Sequence, residues 1–138
     1  MSLVAGGLAR VSIRHQVNAV AIKQVKAVAD IPSASLEDWG PVALPKSETV
    51  SRLRGLVINE HPDGSSAGIW ECSPGIWTRQ VMDAEISTFV KGRALFHPDE
   101  GETLEFRAGD TVYFDENSRG TWEVLETVRK AYLTFKRR

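Results

Sequence analysis

Gly109-Asp110-Thr111-Val112-Tyr113-Phe114, and then Gly120-Thr121-Trp122-Glu123-Val124-Leu125-Glu126-Thr127-Val128-Arg129-Lys130, decide how this chain folds. A Gly-Asp turn launches an apolar strand, a loop follows, and a second strand carries Trp122. Upstream, Glu85 is followed by six residues and then Gly92. Working outward, short apolar runs alternate with turn signals. Leu56-Val57-Ile58 stops at His61-Pro62-Asp63-Gly64, and Ala67 to Cys72 stops at Ser73-Pro74-Gly75. Trp77 to Val81, Ile86 to Val90, Arg93 to Phe96 and Thr103 to Phe106 continue the series. Gly92 separates two of these runs, and His97-Pro98-Asp99-Glu100-Gly101 reads as a hairpin turn. The last strands predicted are Gly120 to Leu125 and Val128 to Phe135. No stretch after Leu53 has helical period, so the pattern predicts an all-β barrel or sandwich.

The 138 residues fit one domain, and a hydrophobic share of 42% supplies a packed core. With 17 basic and 18 acidic residues the net charge is −1, which gives no electrostatic reason to expect nucleic acid or an anionic membrane. Cys72 is the only cysteine, so no internal disulfide is expected. No apolar run reaches membrane-spanning length, and Met1 to Ala9 lacks the basic start of a signal peptide. The expectation is a soluble cytoplasmic protein.

Residues 1–35 read as an N-terminal arm, or as an extra strand or helix, and residues 36–138 as the barrel. Val17, Val20, Ala21, Val25 and Val28 lie near helical spacing, while Ala21 to Lys26 also suits an edge strand; both readings stay open. Trp39-Gly40-Pro41 and Leu44-Pro45 are breaker-rich and read as irregular chain.

The layout resembles a cupin, a small jelly-roll β-barrel built from two motif hairpins. The first cupin motif, G-x5-H-x-H-x3/4-E-x6-G, is matched by Glu85 and Gly92, but its histidine positions hold Arg79 and Val81, or Thr78 and Gln80. In the second, G-x5-P-x-G-x2-H-x3-N, Gly109 is in place and the histidine position is Gly120. Gly68-Ile69-Trp70-Glu71-Cys72-Ser73-Pro74-Gly75 and Gly120 to Val124 resemble the uncharacterised relatives of the ureidoglycine aminohydrolase and ethanolamine-utilisation cupins. The likeness spans about residues 36 to 136.

The resemblance implies that Glu85 faces the barrel interior. There it is either a ligand anchor or acid/base group, or a structural carboxylate held by backbone or Arg79. A first-row metal in such a barrel takes about three imidazoles and one carboxylate. His15 lies in the arm, and His61 and His97 each precede a proline in a turn, so none replaces a lost ligand. The metal position is therefore expected to be empty of protein ligands beyond Glu85, with a divalent metal kept as the minor alternative.

Gly120, Trp122 and Val124 share a strand face by period two, and that face is expected to look inward. Trp70, Trp77 and Trp122 form core or pocket wall, and the missing side chain at Gly120 is expected to leave room for a ligand. Glu71 and Glu123 turn to the opposite face and read as surface charge, or as partners of Arg129 or Lys130. Lys130 or Arg129 offers a cation to a ligand carboxylate or phosphate, or closes a cross-strand ion pair. Tyr113 and Tyr132 offer hydroxyls, and strand packing explains either. Cys72 reads as a small buried apolar residue.

The candidate binding set is Trp70, Trp77, Arg79, Gln80, Glu85, Tyr113, Trp122 and Lys130, with Glu85 as the catalytic candidate. The expected function is that of a metal-free cupin holding a small polar metabolite, as a sensor or accessory factor in nitrogen or amine metabolism. The alternative is an enzyme, a ureide or amide hydrolase or an isomerase, that uses Glu85 as acid/base or as a metal ligand. A homodimer is expected, since related small cupins pair and the arm is apolar.

Overall fold

The computed structural model describes residues 20–137. Eight strands follow two short 3-10 turns, Val28–Asp30 and Ser33–Ser35. The strands are β1 (Glu37–Pro41), β2 (Arg52–Glu60), β3 (Ser66–Cys72), β4 (Gly75–Thr78), β5 (Ala84–Pro98), β6 (Leu104–Arg107), β7 (Thr111–Phe114) and β8 (Gly120–Phe135). All pairings are antiparallel, in the order β1-β2-β3-β8-β5-β6, with β4 also on β8 and β7 also on β5.

Two long strands, β5 and β8, make the barrel. The C-terminal half of β8 pairs with β3 and with the first half of β5, which also carries β7. The N-terminal half of β8 pairs with β4 and with the second half of β5, which also carries β6. Bending both strands between their halves folds one sheet over itself. The expected breaks within residues 86–96 and 120–135 are therefore bends in continuous strands.

The bend in β5 is a run of register shifts between Phe89 and Ala94. Glu85, Ser87 and Phe89 are buried before it, and Ala94 and Phe96 after it, so the inward parity switches from odd to even. A bulge of this kind adds a residue and kinks the strand. Gly92 sits there at φ 88°, and a Cβ on it would lie 2.1 Å from the Thr127 carbonyl oxygen, so only glycine fits. The interrupted alternation resembles a strand end in sequence, which is why two strands are predicted there.

Three other expectations change. Trp39-Gly40-Pro41, read as irregular, belongs to β1 (Glu37–Pro41), and Trp39 lies across Gly55 of β2. Trp77 to Val81, read as a strand, shifts back to Gly75–Thr78, and the chain leaves the sheet at Arg79. Residues 20–27 are neither helix nor strand; the earlier part of the arm lies outside the described residues.

Trp122 is the centre of the core. It is 1% exposed, and six aromatic rings surround it at centroid distances of 5.0 to 6.4 Å: Trp70, Trp77, Phe89, Phe96, Phe106 and Phe114. Such tilted and edge-on pairs suit the ring quadrupoles and add to the burial of apolar area. No helix among the described residues is long and apolar enough to cross a membrane.

Candidate functional site at the barrel mouth

The inward parity of β8 continues from Trp122 through Lys130, Tyr132 and Thr134, all of which face one cavity. Antiparallel pairing places Trp70 of β3 opposite Lys130, and Phe89 of β5 opposite it on the other side. Glu85 lies further along the same face of β5, opposite Thr134. The chain leaving β4 brings Arg79 over the top. The resulting cavity holds about 330 Å³, and Trp39, Trp70, Trp77 and Trp122 give it aromatic walls.

Glu85, Arg79 and Lys130 form a buried charged cluster, each 3–4% exposed. Lys130 Nζ stands 2.6 Å from Glu85 Oε2, and Arg79 Nη2 stands 3.2 Å from Oε1. The Ser87 hydroxyl donates to Oε2 as well. Burial alone would raise the Glu85 carboxyl, but Lys130, Ser87 and Arg79 outweigh it and hold the carboxyl below its ordinary value. Burial pulls Lys130 down from the usual lysine value, and Glu85 opposes that pull.

The two cations are held differently. Arg79 has acceptors on both terminal nitrogens: Nη1 donates to the carbonyls of Val81 and Ser118, Nη2 to Glu85, and the guanidinium carbon lies 4.1 Å from the Phe114 ring centroid. Lys130 has one oxygen partner, Glu85, among the described residues. Its ammonium otherwise rests on aromatic faces, 4.4 Å from Trp70 and 5.4 Å from Trp122.

Of the eight expected binding residues, seven line this cavity: Trp70, Trp77, Arg79, Gln80, Glu85, Trp122 and Lys130. Tyr113 does not. It points outward from β7, 51% exposed, beside a separate depression lined by Pro98, Leu104 and Asn117. Its hydroxyl donates to Asp115. The inward residues of β7 are Val112 and Phe114, one step out of phase with Tyr113. Tyr132 supplies the tyrosine of the cavity instead, and burial raises its hydroxyl. Continuing the Trp122 parity down β8 identifies it in the sequence. Trp39 carries no such signal, because its strand was read as irregular chain.

Gly120 also corrects an expectation. A Cβ there would meet the Phe96 ring at 2.5 Å and the His97 carbonyl oxygen at 2.6 Å. The space is filled by Phe96, so neither an imidazole nor a ligand group enters at that point.

The donor set does not fit a divalent metal at Glu85. Both carboxylate oxygens are engaged by protein cations. Among the described residues no three His, Cys, Asp or Glu side chains converge as ligands. His61 opens a surface turn, whereas His97, expected in a turn, lies in β5, half-buried, and bonds to Thr103 and Glu123; neither reaches Glu85, and His15 lies outside the described residues.

Glu71 is not surface charge. It is 4% exposed and is gripped by Arg129, which is fully buried on the outer face of β8. Arg129 Nη1 donates 2.8 and 2.7 Å bonds to the carbonyls of Val28 and Ile31. Cys72 is fully buried, with its thiol pushed up by desolvation to about 11. Its sulfur donates to the Ser73 carbonyl at 3.3 Å, while the nearby Ser51 hydroxyl and Trp77 indole N–H have no hydrogen-bond partner. Such a thiol is a packing group and not a nucleophile.

A bent two-layer antiparallel barrel with Glu85 inward and an aromatic mouth defines a small all-β cupin. Residues 60–132, just over half of the chain, match the EutQ-like cupin domain family, and the chain belongs to that family. Solved structures share the fold. A DUF861-family protein of unknown function from Pseudomonas syringae pv. tomato is 22% identical with a TM-score of 0.64, over 72% of this chain and 43% of its own. The chain thus spans less than half the length of that protein. The EutQ protein of Clostridium difficile is 15% identical with a TM-score of 0.55, over 62% of this chain and 69% of its own. A protein of unknown function from Rhizobium leguminosarum is 18% identical with a TM-score of 0.54, over 62% of this chain and 82% of its own. No functionally curated protein matches the sequence.

Proposed function

We propose that the chain is a metal-free cupin that binds a small polar metabolite in the mouth of its barrel. The observation that carries this reading is the meeting of an under-bonded buried ammonium, Lys130, with tryptophan walls at an open cavity. Binding sites for small molecules combine such apolar walls with a few placed polar groups. A role as a sensor or accessory factor in nitrogen or amine metabolism is part of the proposal, and its support is the likeness to an EutQ protein. The enzyme alternative has less support. A lowered carboxyl keeps Glu85 ionised and unsuited to a general acid, and as a base it is blunted because Lys130, Arg79 and Ser87 already occupy both of its oxygens.

The test is a thermal-shift screen of small carboxylates, amines and ureides on the wild type and on Trp70→Ala. Hits that stabilise the wild type and lose their effect in Trp70→Ala are expected. A library without a single such hit would remove the reading.

A homodimer also belongs to the proposal. Ile86, Tyr113 and Leu133 are 43%, 51% and 41% exposed and adjacent across β7, β5 and β8, which suits a face shared with a second copy. Sedimentation of Ile86→Glu as a monomer beside a dimeric wild type is the expected outcome.

A further inference from the structure

Deep in the barrel, charge does not balance. Arg79 and Lys130 are two buried cations, and Glu85 is the one carboxylate between them. Asp83, the other acid at the cavity, lies at the rim and pairs outward with Lys136 at 2.9 Å. Glu71 belongs to Arg129 on the far side of the sheet. A buried charge without its counterion is unfavourable, and proteins ordinarily pair it or replace it. Here the surplus cation is identifiable. Arg79 has carbonyl and carboxylate acceptors on both terminal nitrogens, whereas Lys130 spreads three N–H donors over one carboxylate oxygen and the faces of aromatic rings.

We infer that the barrel mouth is a monoanion site, in which the carboxylate of a small ligand completes the coordination of Lys130 while its flat or apolar part lies against Trp70 and Trp77. One negative charge brings the cluster to neutrality; a dianion overshoots, and a cation adds to the surplus. The cavity of about 330 Å³ is at the small end for ligand pockets, which restricts the anion to a small metabolite. Tyr132, on the same strand face two residues on, adds a hydroxyl donor for the second carboxylate oxygen. This inference rests on the proposed binding function and narrows it to one ligand charge.

The test uses three molecules of one shape and different charge: benzoate, benzamide and benzylamine. Each is titrated into the wild type and Lys130→Met, with tryptophan fluorescence and thermal unfolding as readouts. Benzoate is expected to raise the melting temperature and change the fluorescence of the wild type. Benzamide is expected to bind at least tenfold more weakly, and benzylamine not to bind. Benzoate binding is expected to fall at least tenfold in Lys130→Met; should that variant not fold, Lys130→Gln takes its place. Benzamide or benzylamine binding as well as benzoate would overturn the anion site and leave metabolite binding intact. So would a set of library hits that are all neutral or cationic. A library with no hit at all would remove the binding function itself.

Discussion

Arg129 and Lys130 are neighbours on β8, and both are buried cations facing carboxylates, yet they point to opposite faces of the sheet. On the outer face, Arg129 meets Glu71 one to one. It spends its remaining donors on the carbonyls of Val28 and Ile31 and so ties the 3-10 turns to the barrel. Every strong donor there has an acceptor. On the inner face, Lys130 shares one carboxylate with Arg79 and is open to a cavity. The difference separates two uses of a buried ion pair: a saturated pair fixes chain, and an unsaturated one waits for a ligand.

The comparison can be broken by removing charges one at a time. The largest effect is expected for Glu85→Gln, which leaves two buried cations without an anion. The loss should be about 3–5 kcal/mol, as for other broken buried pairs. Denaturant midpoints measure it, and an unchanged midpoint would mean that water already compensates Arg79 and Lys130. Next in size is the outer face. Glu71→Gln leaves Arg129 without its anion; a loss of about 1–3 kcal/mol is expected, with amide exchange accelerated most over residues 28–35. Uniform acceleration across the molecule would show that the turns are not held separately.

A smaller effect is expected from pH. The folded Glu85 carboxyl lies below its ordinary value of about 4.5, so the unfolded chain binds its proton more readily. Its contribution to stability is therefore complete above that value and is lost as pH falls through the lower folded value. Lys130 provides the strongest of the lowering influences, so Lys130→Met brings the folded carboxyl back towards its ordinary value and should shrink the stability lost to acid. An acid-unfolding curve of that variant superimposing on the wild type would contradict the pairing. The smallest effect concerns Cys72, where no labelling by iodoacetamide is expected at pH 8 in the folded protein, because the thiol is buried with its pKa at about 11.

The sequence carried more of the inner face than of the outer. Period two carried on from Gly120 and Trp122 turns Lys130 to their face, while Glu85 is set inside by the resemblance to the cupin motif and not by local pattern. Tyr113 failed because one residue of phase on a short strand reverses the face. Gly120 failed because a missing side chain in sequence says nothing of its neighbour, and Phe96 fills the gap. Arg129 has outward parity and would be exposed on a bare sheet. Its burial comes from residues about a hundred positions away, a contact no local pattern encodes.

The most direct measurement is the unfolding free energy of Lys130→Met beside that of Arg129→Met. Lys130→Met leaves Arg79 and Glu85 as a balanced pair and puts an apolar chain of similar length among aromatic rings. Its stability is expected within about 1 kcal/mol of the wild type, or above it. Arg129→Met strands the buried Glu71 and takes the donor from two part-buried carbonyls, and should lose about 3–5 kcal/mol. That asymmetry is what a saturated and an unsaturated pair predict. Equal losses in the two variants would mean that Lys130 is as much a structural residue as Arg129, and the surplus charge would no longer point to a ligand.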